Sequence, residues 1–444
     1  MQTRDNVGLD FTGTIAGVSA FDDALLALLR FQPEVGSKVG NIVKTDPSGP
    51  MGYIFSAYLG LLSSERPDAL AAAEQLRNLD QMQLSLNERE LMHLTAAKSW
   101  VAGDVPAAAR FLDELSAAFP TDTLALYVGH QLDFFSGSSQ HLHDRLAAAL
   151  PFWSDSQTHY GYLSGMWAFG LEESGNYAMA DEVGRRAVEI NRDDVWGIHA
   201  VIHVQEMLGK VDEGLKYLAD HQNDWMYDNF LNVHNSWHRA LFLLELEKYG
   251  EALDLYDTAI HNEDSGNLAL EMLDASALLW RLHLDNIDVG NRWQPLADSW
   301  AEKDPIPYYF FNDMHACLTF VASGRMKDAE SIVSRLETYI AQPEQNVSNW
   351  EVVHRAGLPI CRAIVAHGKG DFVECAQQLD PIRDKIGTIG GSHAQRDVLH
   401  RTLIDSLQKS GNHSDAERLL DRRLRERPAS VWSIKRLART LPVD

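Results

Sequence analysis

Two stretches of this 444-residue sequence place histidines at helical spacing. The first reads HAVIHVQE and carries His199, His203 and Glu206, and the second reads HNSWH and carries His234 and His238. Residues four apart share one face of a helix, so each pair presents two imidazoles to the same side. Two such imidazoles can chelate one divalent metal ion, and a carboxylate one turn away can bind that ion or act as a base. The spacing therefore favours metal or proton chemistry at this part of the chain.

Three hypotheses account for these side chains. The first is a metal centre in which neighbouring helices supply four imidazole ligands, His199, His203, His234 and His238. It would not be the HExxH signature, because Glu206 follows the second histidine by three positions. The second is metal-free acid–base catalysis by Glu206, His203 and His238, since a carboxylate can fix the tautomer of an imidazole. The third is that the histidines are core residues with satisfied hydrogen bonds.

Further polar residues form a candidate substrate-binding set. An arginine can hold a substrate carboxylate in bidentate fashion, and the alternative is that Arg396 and Asp397 form structural ion pairs. The Gly-rich segment 387–397 is interpreted as an interhelical turn rather than an anion site, because it lacks the Lys-Ser/Thr of a P-loop. We also expect Asn312 or Asp313 to cap a helix. The full set is Asn312, Asp313, His315, Arg396 and Asp397.

Internal repeats would position these residues. The segment 175–191 carries a glycine, an aromatic residue, and then Ala180 and Ala187, which is typical of the second helix of a tetratricopeptide repeat. The next copy places Gly214 at 34 residues from Ala180, which is the period of that repeat. We expect turns within helix pairs near Gly103, Gly175, Gly209, Gly324, Gly370 and Gly411, and burial of Ala180, Ala187, Ala252 and Ala259 at helix crossings.

The repeats predict an all-α, tetratricopeptide-like helical-repeat superhelix, an α-solenoid that can close around a central pocket. We expect one continuous domain over residues 1–444. It would contain divergent N-terminal repeats in 1–150, central repeats with the histidine-rich stretches in 151–290, and C-terminal repeats in 291–444. The paired histidines fall on the first helices of their pairs, which line the concave wall of such an array. We therefore expect His199, His203, His234 and His238 to point toward a common space.

The charge and residue composition of the chain exclude several classes of binding partner. The net charge of −24 disfavours nucleic acid and anionic membrane surfaces, because both would be repelled. No apolar run is long enough for a transmembrane helix, and the first residues do not resemble a signal peptide. Three cysteines do not make a disulfide framework, so we expect a cytoplasmic protein. No nucleotide or flavin motif is present, and a divalent metal is the cofactor left open. The sequence leaves the oligomeric state open.

Several blocks of the sequence are similar to a known family. They read VWGIHAVIHVQEMLGK, HNSWHRALFLLE, FNDMHA, GLPICRAIV and GGSHAQRD, and they lie between residues 195 and 397. Together they resemble the tetratricopeptide repeat protein 38 family. The resemblance implies an α-helical repeat fold and no particular reaction.

Two functions from different classes follow from these residues. The first is an enzyme whose concave His/Glu/Asp site carries out hydrolysis or another proton-transfer reaction on a small polar metabolite, such as an amide or amino-acid derivative. The alternative is a non-catalytic tetratricopeptide-repeat scaffold that binds a peptide or protein. A closed pocket would favour the small molecule, whereas an open groove would favour the peptide.

Overall fold

The computed structural model of the chain describes residues 2–342 and 347–440, and their regular structure is almost entirely α-helical. These residues divide into two compact units. The first unit comprises residues 2–201, 221–232 and 347–348, and the second comprises 202–220, 233–342 and 349–440. Within the described ranges, no helix is both long enough and apolar enough to cross a membrane. The organisation of residues 1–444 as one continuous domain stays a prediction.

The first unit begins with a short antiparallel hairpin and continues as consecutive helices, each packed against the next. Its elements are β1 (Gln2–Arg4), β2 (Asp10–Thr12), α1 (Ile15–Leu29), α2 (Val35–Thr45), α3 (Pro50–Leu62), α4 (Arg66–Met82), α5 (Glu88–Val101), α6 (Val105–Ala118), α7 (Thr123–Phe135), α8 (Ser139–Ala149), a 3-10 turn (Leu150–Phe152), α9 (Tyr160–Glu173), α10 (Tyr177–Ile190), the start of α11 (Val195–Met207), and a helical turn at Gln222–Trp225.

The second unit contains the rest of α11 and the following helices, except for the first two residues of α13 and of α19, and sequence neighbours are again in contact. Its further elements are α12 (Val211–Asp220), α13 (Leu231–Glu245), α14 (Tyr249–Leu255) with a π-turn (Tyr256–Ile260), α15 (Ala269–Leu284), α16 (Trp293–Ala301), α17 (Phe310–Ala322), α18 (Met326–Ile340), α19 (Val347–Val352) with a π-turn (Val353–Gly357), α20 (Leu358–Gly368), α21 (Phe372–Leu379), a 3-10 segment (Asp380–Ile389), α22 (His393–Lys409), α23 (His413–Glu426) and α24 (Val431–Thr440).

The turns within helix pairs lie at the predicted glycines. A positive φ is favourable for glycine because it has no Cβ to clash with the neighbouring carbonyl oxygen. This conformation ends one helix and redirects the chain into the next, so the predicted pairing of helices is confirmed. The φ angles are 80° at Gly103, 81° at Gly175, 68° at Gly209, 78° at Gly324, 77° at Gly370 and 81° at Gly411.

The two helices of a pair differ in burial. In α9, 12 of 14 residues are buried, whereas in its partner α10 the buried residues are Ala180, Gly184, Ala187 and Val188. The pair α17 and α18 shows the same contrast, with nearly every residue of α17 buried and one apolar stripe buried on α18. A helix that is apolar all round belongs in an interior, and an amphipathic helix belongs at a surface. First helices therefore form the interior of each unit, and second helices cover it.

Small residues occupy the helix crossings, as the repeat pattern predicts. Ala180, Ala187 and Ala252 are fully buried, which confirms three of the four alanine predictions. A Cβ added at Gly184 on the same face would lie 2.8 Å from a methyl carbon of Val201, so this crossing has no spare room. The prediction for Ala259 is wrong, because that side chain is only partly buried. It lies in the π-turn after α14, whose wider turn rotates it away from the face that Ala252 presents.

Replacing Ala180 by leucine is expected to destabilise the first unit by roughly 1–3 kcal/mol, because three additional carbons must enter a closed crossing. Urea unfolding would measure the loss. Met179→Leu is the matched control on the same helix, since Met179 is half exposed and the change should have little effect. Equal unfolding midpoints for the two variants would contradict the repeat crossing.

Two local features differ from the sequence predictions. The hairpin of β1 and β2 was not predicted, because strands of three residues show no period-two pattern. Its turn is instead fixed by Asp5, whose Oδ1 accepts hydrogen bonds from the backbone N–H groups of Val7 and Leu9. The prediction that Asn312 or Asp313 caps a helix is wrong as well. α17 begins at Phe310, so both residues lie inside its first turn.

Candidate functional site

Three of the predicted histidines meet in the interior of the second unit. His203 on α11 and His238 on α13 are fully buried, and the side chain of His234 is 14% exposed. The ring centroid of His238 lies 4.4 Å from that of His203 and 4.8 Å from that of His234. One ring nitrogen from each of the three lies within 4.8 Å of the others. The i, i+4 spacing and the contact of two helices thus produce a cluster, called here the histidine centre.

Carboxylates orient two of these rings. Nδ1 of His238 lies 2.8 Å from Oε2 of Glu206, and Nδ1 of His234 lies 2.7 Å from Oδ2 of Asp274. A carboxylate is an acceptor, so Nδ1 of each ring carries a proton. Asp274 lies on α15 and was not among the predicted site residues. Its signal in the sequence was an acid among apolar residues of a helix that is mostly buried.

The surroundings of His238 keep its imidazole neutral. Burial lowers the pKa of His238 well below its ordinary value, and His203, His234 and Arg281 lower it further. His238 is therefore a neutral imidazole near pH 7. Burial lowers the pKa of Arg281 to about 9, which leaves the guanidinium charged at neutral pH. Arg281 was not among the predicted site residues, because an arginine near the end of an apolar helix usually reaches solvent.

Arg281 is held by backbone oxygens and an aromatic ring. Its guanidinium donates hydrogen bonds of 2.9 Å to the carbonyl of Ala277 and 2.7 Å to the carbonyl of Ala394, and it lies 5.3 Å from the ring centroid of Trp237. Oε1 of Glu206 approaches Nη1 of Arg427 at 3.7 Å, while its other oxygen accepts from His238. Glu206 therefore lies between a neutral imidazole and a buried cation.

His199 lies one turn before His203 on α11 and belongs to the first unit. Its ring stacks on Phe169 with 5.2 Å between the ring centroids, and it lies 4.9 Å from the ring of Trp196. These contacts are typical of a core residue. A role for His199 as a fourth metal ligand stays a prediction.

The C-terminal members of the predicted substrate-binding set make structural contacts. Asp397 accepts hydrogen bonds from Arg401 at 2.9 Å and from Arg423 at 2.8 Å, and all three residues are buried. Arg396 donates to the backbone carbonyls of Gly390 and Gly391. The ion-pair alternative therefore fits Asp397, and a substrate-binding role for either residue stays a prediction.

The Gly-rich segment before α22 is a capped turn. Gly390 and Gly391 both have positive φ, at 88° and 75°. Ser392 then caps α22, since its hydroxyl accepts from the backbone N–H of Gln395 while the Gln395 side chain accepts from the backbone N–H of Ser392. This reciprocal capping box satisfies donors that an anion would otherwise need. The arrangement agrees with an interhelical turn.

Asp313 and His315 lie on α17, together with Asn312. Nδ1 of His315 is 2.8 Å from the carbonyl oxygen of Phe311, and burial lowers the pKa of His315 to about 4. Arg281 also lowers this pKa, as it does for His238. Burial raises the pKa of Asp313 to about 7, and its Oδ2 is buried without a hydrogen-bond partner among the described residues. A substrate-binding role for Asn312, Asp313 and His315 stays a prediction.

Asp313→Asn is expected to change how stability depends on pH. A carboxyl whose pKa is raised on folding contributes stability below its unfolded value of 3.8, and this contribution is lost as the pH rises through about 7. The asparagine variant cannot titrate, so it should gain roughly 2–4 kcal/mol relative to the wild type between pH 4 and pH 8. Urea unfolding of both proteins at several pH values measures this gain. Parallel stability curves would show that Asp313 is not perturbed.

A surface cavity of about 270 Å³ lies in the first unit, away from these residues. Its lining includes Asp113, His141, Asp144 and Arg145. Arg145 pairs with Asp113 at 2.7 Å and with the buried Asp133 at 2.8 Å, so its charge already has internal partners. The candidate site residues from the sequence do not line this cavity.

Fold and geometry define an all-α, tetratricopeptide-like helical-repeat protein with a buried histidine centre in one unit. No family model matches the sequence. Among solved structures, the Rap protein complexed with Competence and Sporulation Factor is 11% identical with a TM-score of 0.38, over 88% of this chain and 97% of that chain. The structure of Naa15/Naa10 bound to HypK-THB is 11% identical with a TM-score of 0.25, over 96% of this chain and 65% of that chain.

Proposed function

We propose that this chain is a tetratricopeptide-like protein-interaction scaffold of the tetratricopeptide repeat protein 38 family. The observation that supports the scaffold is the division between buried first helices and half-exposed second helices within the pairs. Repeat proteins bind partners along the surfaces that successive repeats leave open. In this chain those surfaces include the outer faces of second helices.

Several apolar side chains on second helices are available to a partner. Leu70 on α4, Met179 on α10 and Val373 on α21 are each more than half exposed. Scattered apolar side chains are common on protein surfaces, so exposure alone does not identify a binding surface. Substitution of these three side chains shows whether they contact a partner. The net charge of −24 favours a partner segment that is basic, because complementary charge steers association.

The scaffold proposal is tested by capture from cell extract with the immobilised full chain. Leu70→Glu, Met179→Glu and Val373→Glu are compared with Asn78→Glu, which makes the same charge change at an exposed polar position of α4. We expect at least one of the three to lower capture of a specific protein by tenfold or more, with capture by Asn78→Glu unchanged. Raising the salt concentration should weaken the same interaction. Identical capture by all four variants would reject binding through these faces.

A second candidate function is acid–base catalysis at the histidine centre, on a small polar metabolite such as an amide or amino-acid derivative. The observation that favours it is the 2.8 Å contact of Glu206 with His238, since a carboxylate–imidazole pair can move a proton. Glu206→Gln should abolish turnover while keeping the fold. Mass spectrometry of cell extract incubated with each protein would detect a metabolite consumed by the wild type alone. If no metabolite changes, this candidate is rejected and the scaffold proposal is unaffected.

A further inference from the structure

We propose that His203, His234 and His238 bind a divalent transition-metal ion such as Zn²⁺. Glu206 and Asp274 would act as hydrogen-bond partners of the ligands rather than as ligands. The proposal does not depend on the scaffold function, because all five residues lie in the interior of the second unit.

The positions of the ring nitrogens suit one small ion. Zn²⁺ binds imidazole nitrogens at about 2.0–2.1 Å, so two ligands of a tetrahedral site lie about 3.3 Å apart. The three histidines offer nitrogens within 4.8 Å of one another. Small rotations of the rings would therefore complete the coordination without moving α11 or α13.

The orientation of the imidazoles distinguishes this centre from two other buried, acid-paired histidines. His93 and His367 also contact buried acids, but through Nε2, to Asp122 and Asp405. In the histidine centre, the acids contact Nδ1 of His234 and of His238 instead.

Metal-binding histidines usually donate their second ring N–H to a carboxylate or carbonyl, which fixes the tautomer and increases the basicity of the ligand nitrogen. The two Nδ1 contacts have that form, so Nε2 would be the ligand atom of His234 and of His238. A buried histidine–acid pair that only stabilises the fold needs one imidazole and one acid. The histidine centre instead brings three imidazoles together, and acids orient two of them.

The ligand types select the class of ion. Neutral imidazoles suit Zn²⁺, Cu²⁺, Ni²⁺ and Co²⁺, whereas Ca²⁺ and Mg²⁺ prefer oxygen ligands. Three histidines would leave a fourth coordination position for water or another ligand. The strongly acidic chain adds a long-range field that favours a cation.

The test uses the full chain without an affinity tag, stripped with a chelator and titrated with ZnCl₂ and with CoCl₂. We expect one ion per chain by elemental analysis and calorimetry. Bound Co²⁺ should give the visible absorption of a tetrahedral site. Trp237 stacks on His234 with 5.3 Å between the ring centroids, so its fluorescence should be quenched when Co²⁺ binds.

Variants separate this site from adventitious binding. His234→Gln should lower the affinity at least 100-fold, and Asp274→Asn should lower it about 10- to 100-fold, because the ligand loses its orienting partner. His367→Gln is the matched control, since it removes a buried, acid-paired histidine of the same unit that is not a proposed ligand. The control should bind as the wild type does.

Three results would overturn the proposal. They are less than a fifth of an ion per chain in the wild type, equal affinity in the wild type and His234→Gln, or a Co²⁺ spectrum that His234→Gln leaves unchanged. If His234→Gln does not fold, the affinity of Asp274→Asn and the number of ions bound per wild-type chain still test the proposed metal site. Capture of partners by the second helices would be unaffected by any of these results.

Discussion

Replacing Asp397 by asparagine is expected to lower the free energy of unfolding of the second unit by about 3–5 kcal/mol. Asp397 accepts from Arg401 and Arg423, and both guanidinium groups also lie over the ring of Trp432, at 4.5 and 5.3 Å. The variant would leave buried cations with one anion fewer, and breaking a buried pair from one side typically costs this much. Glu245 stays near Arg401 at 3.1 Å, which limits the loss.

The same carboxylate should also control acid stability. Burial alone would raise the pKa of Asp397, but Arg423, Arg427 and Arg401 lower it well below its ordinary value of 3.8. A lowered pKa contributes stability above pH 3.8 that is lost as the pH falls below it. The wild type should therefore lose its advantage over the variant below about pH 4.

Asp415→Asn is the matched control for Asp397→Asn. It removes a carboxylate that pairs with Arg418, and both side chains are largely exposed. Exposed pairs contribute about 1 kcal/mol or less, so this variant should unfold close to the wild type. Similar losses for Asp397→Asn and Asp415→Asn would show that the buried network contributes no more than a surface pair.

The repeat architecture was largely predictable from the sequence. Glycine at a helix end and alanine at a crossing are local requirements of the backbone, so Gly175 and Ala180 indicate their structural roles without knowledge of distant residues. Ala259 shows where this reasoning fails. The π-turn rotates Ala259 away from the crossing, and this turn depends on how α14 packs. The seven-residue spacing between Ala252 and Ala259 does not contain that information.

The histidine centre was predictable only in part. Helical spacing identifies which imidazoles share a face, and so it selected His234 and His238. It cannot identify the residues that approach from other helices. Asp274 lies 40 positions after His234, and Arg281 is one of many arginines until the fold shows that it is buried. Conversely, Asp397 was predicted to bind substrate, because the sequence does not reveal that Arg423 of α23 pairs with it.

The other large effect is expected from Asp122→Asn in the first unit. Asp122 is fully buried and lies 2.6 Å from Nε of Arg89 and 2.9 Å from Nε2 of His93. It also caps α7 by accepting from the backbone N–H of Ala125. The variant leaves Arg89 buried with Asp5 as its remaining acidic partner, so we expect a loss of about 3–5 kcal/mol. Asp104→Asn is the control, because Asp104 caps α6 in the same way from an exposed position and asparagine caps equally well.

Asp122→Asn and Asp397→Asn together test how the chain unfolds, because each weakens a different unit. If residues 1–444 form one cooperative domain, each variant should lower a single shared unfolding transition, and the double variant should lower it by the sum of the two losses. If the units unfold separately, calorimetry should resolve two transitions. Asp122→Asn would then shift one of them and leave the other in place, and Asp397→Asn would do the reverse. In a repeat array, neighbouring repeats stabilise one another through their interfaces. A single transition therefore requires that the free energy of these interfaces exceed the loss of unfolding free energy that each variant causes in its unit.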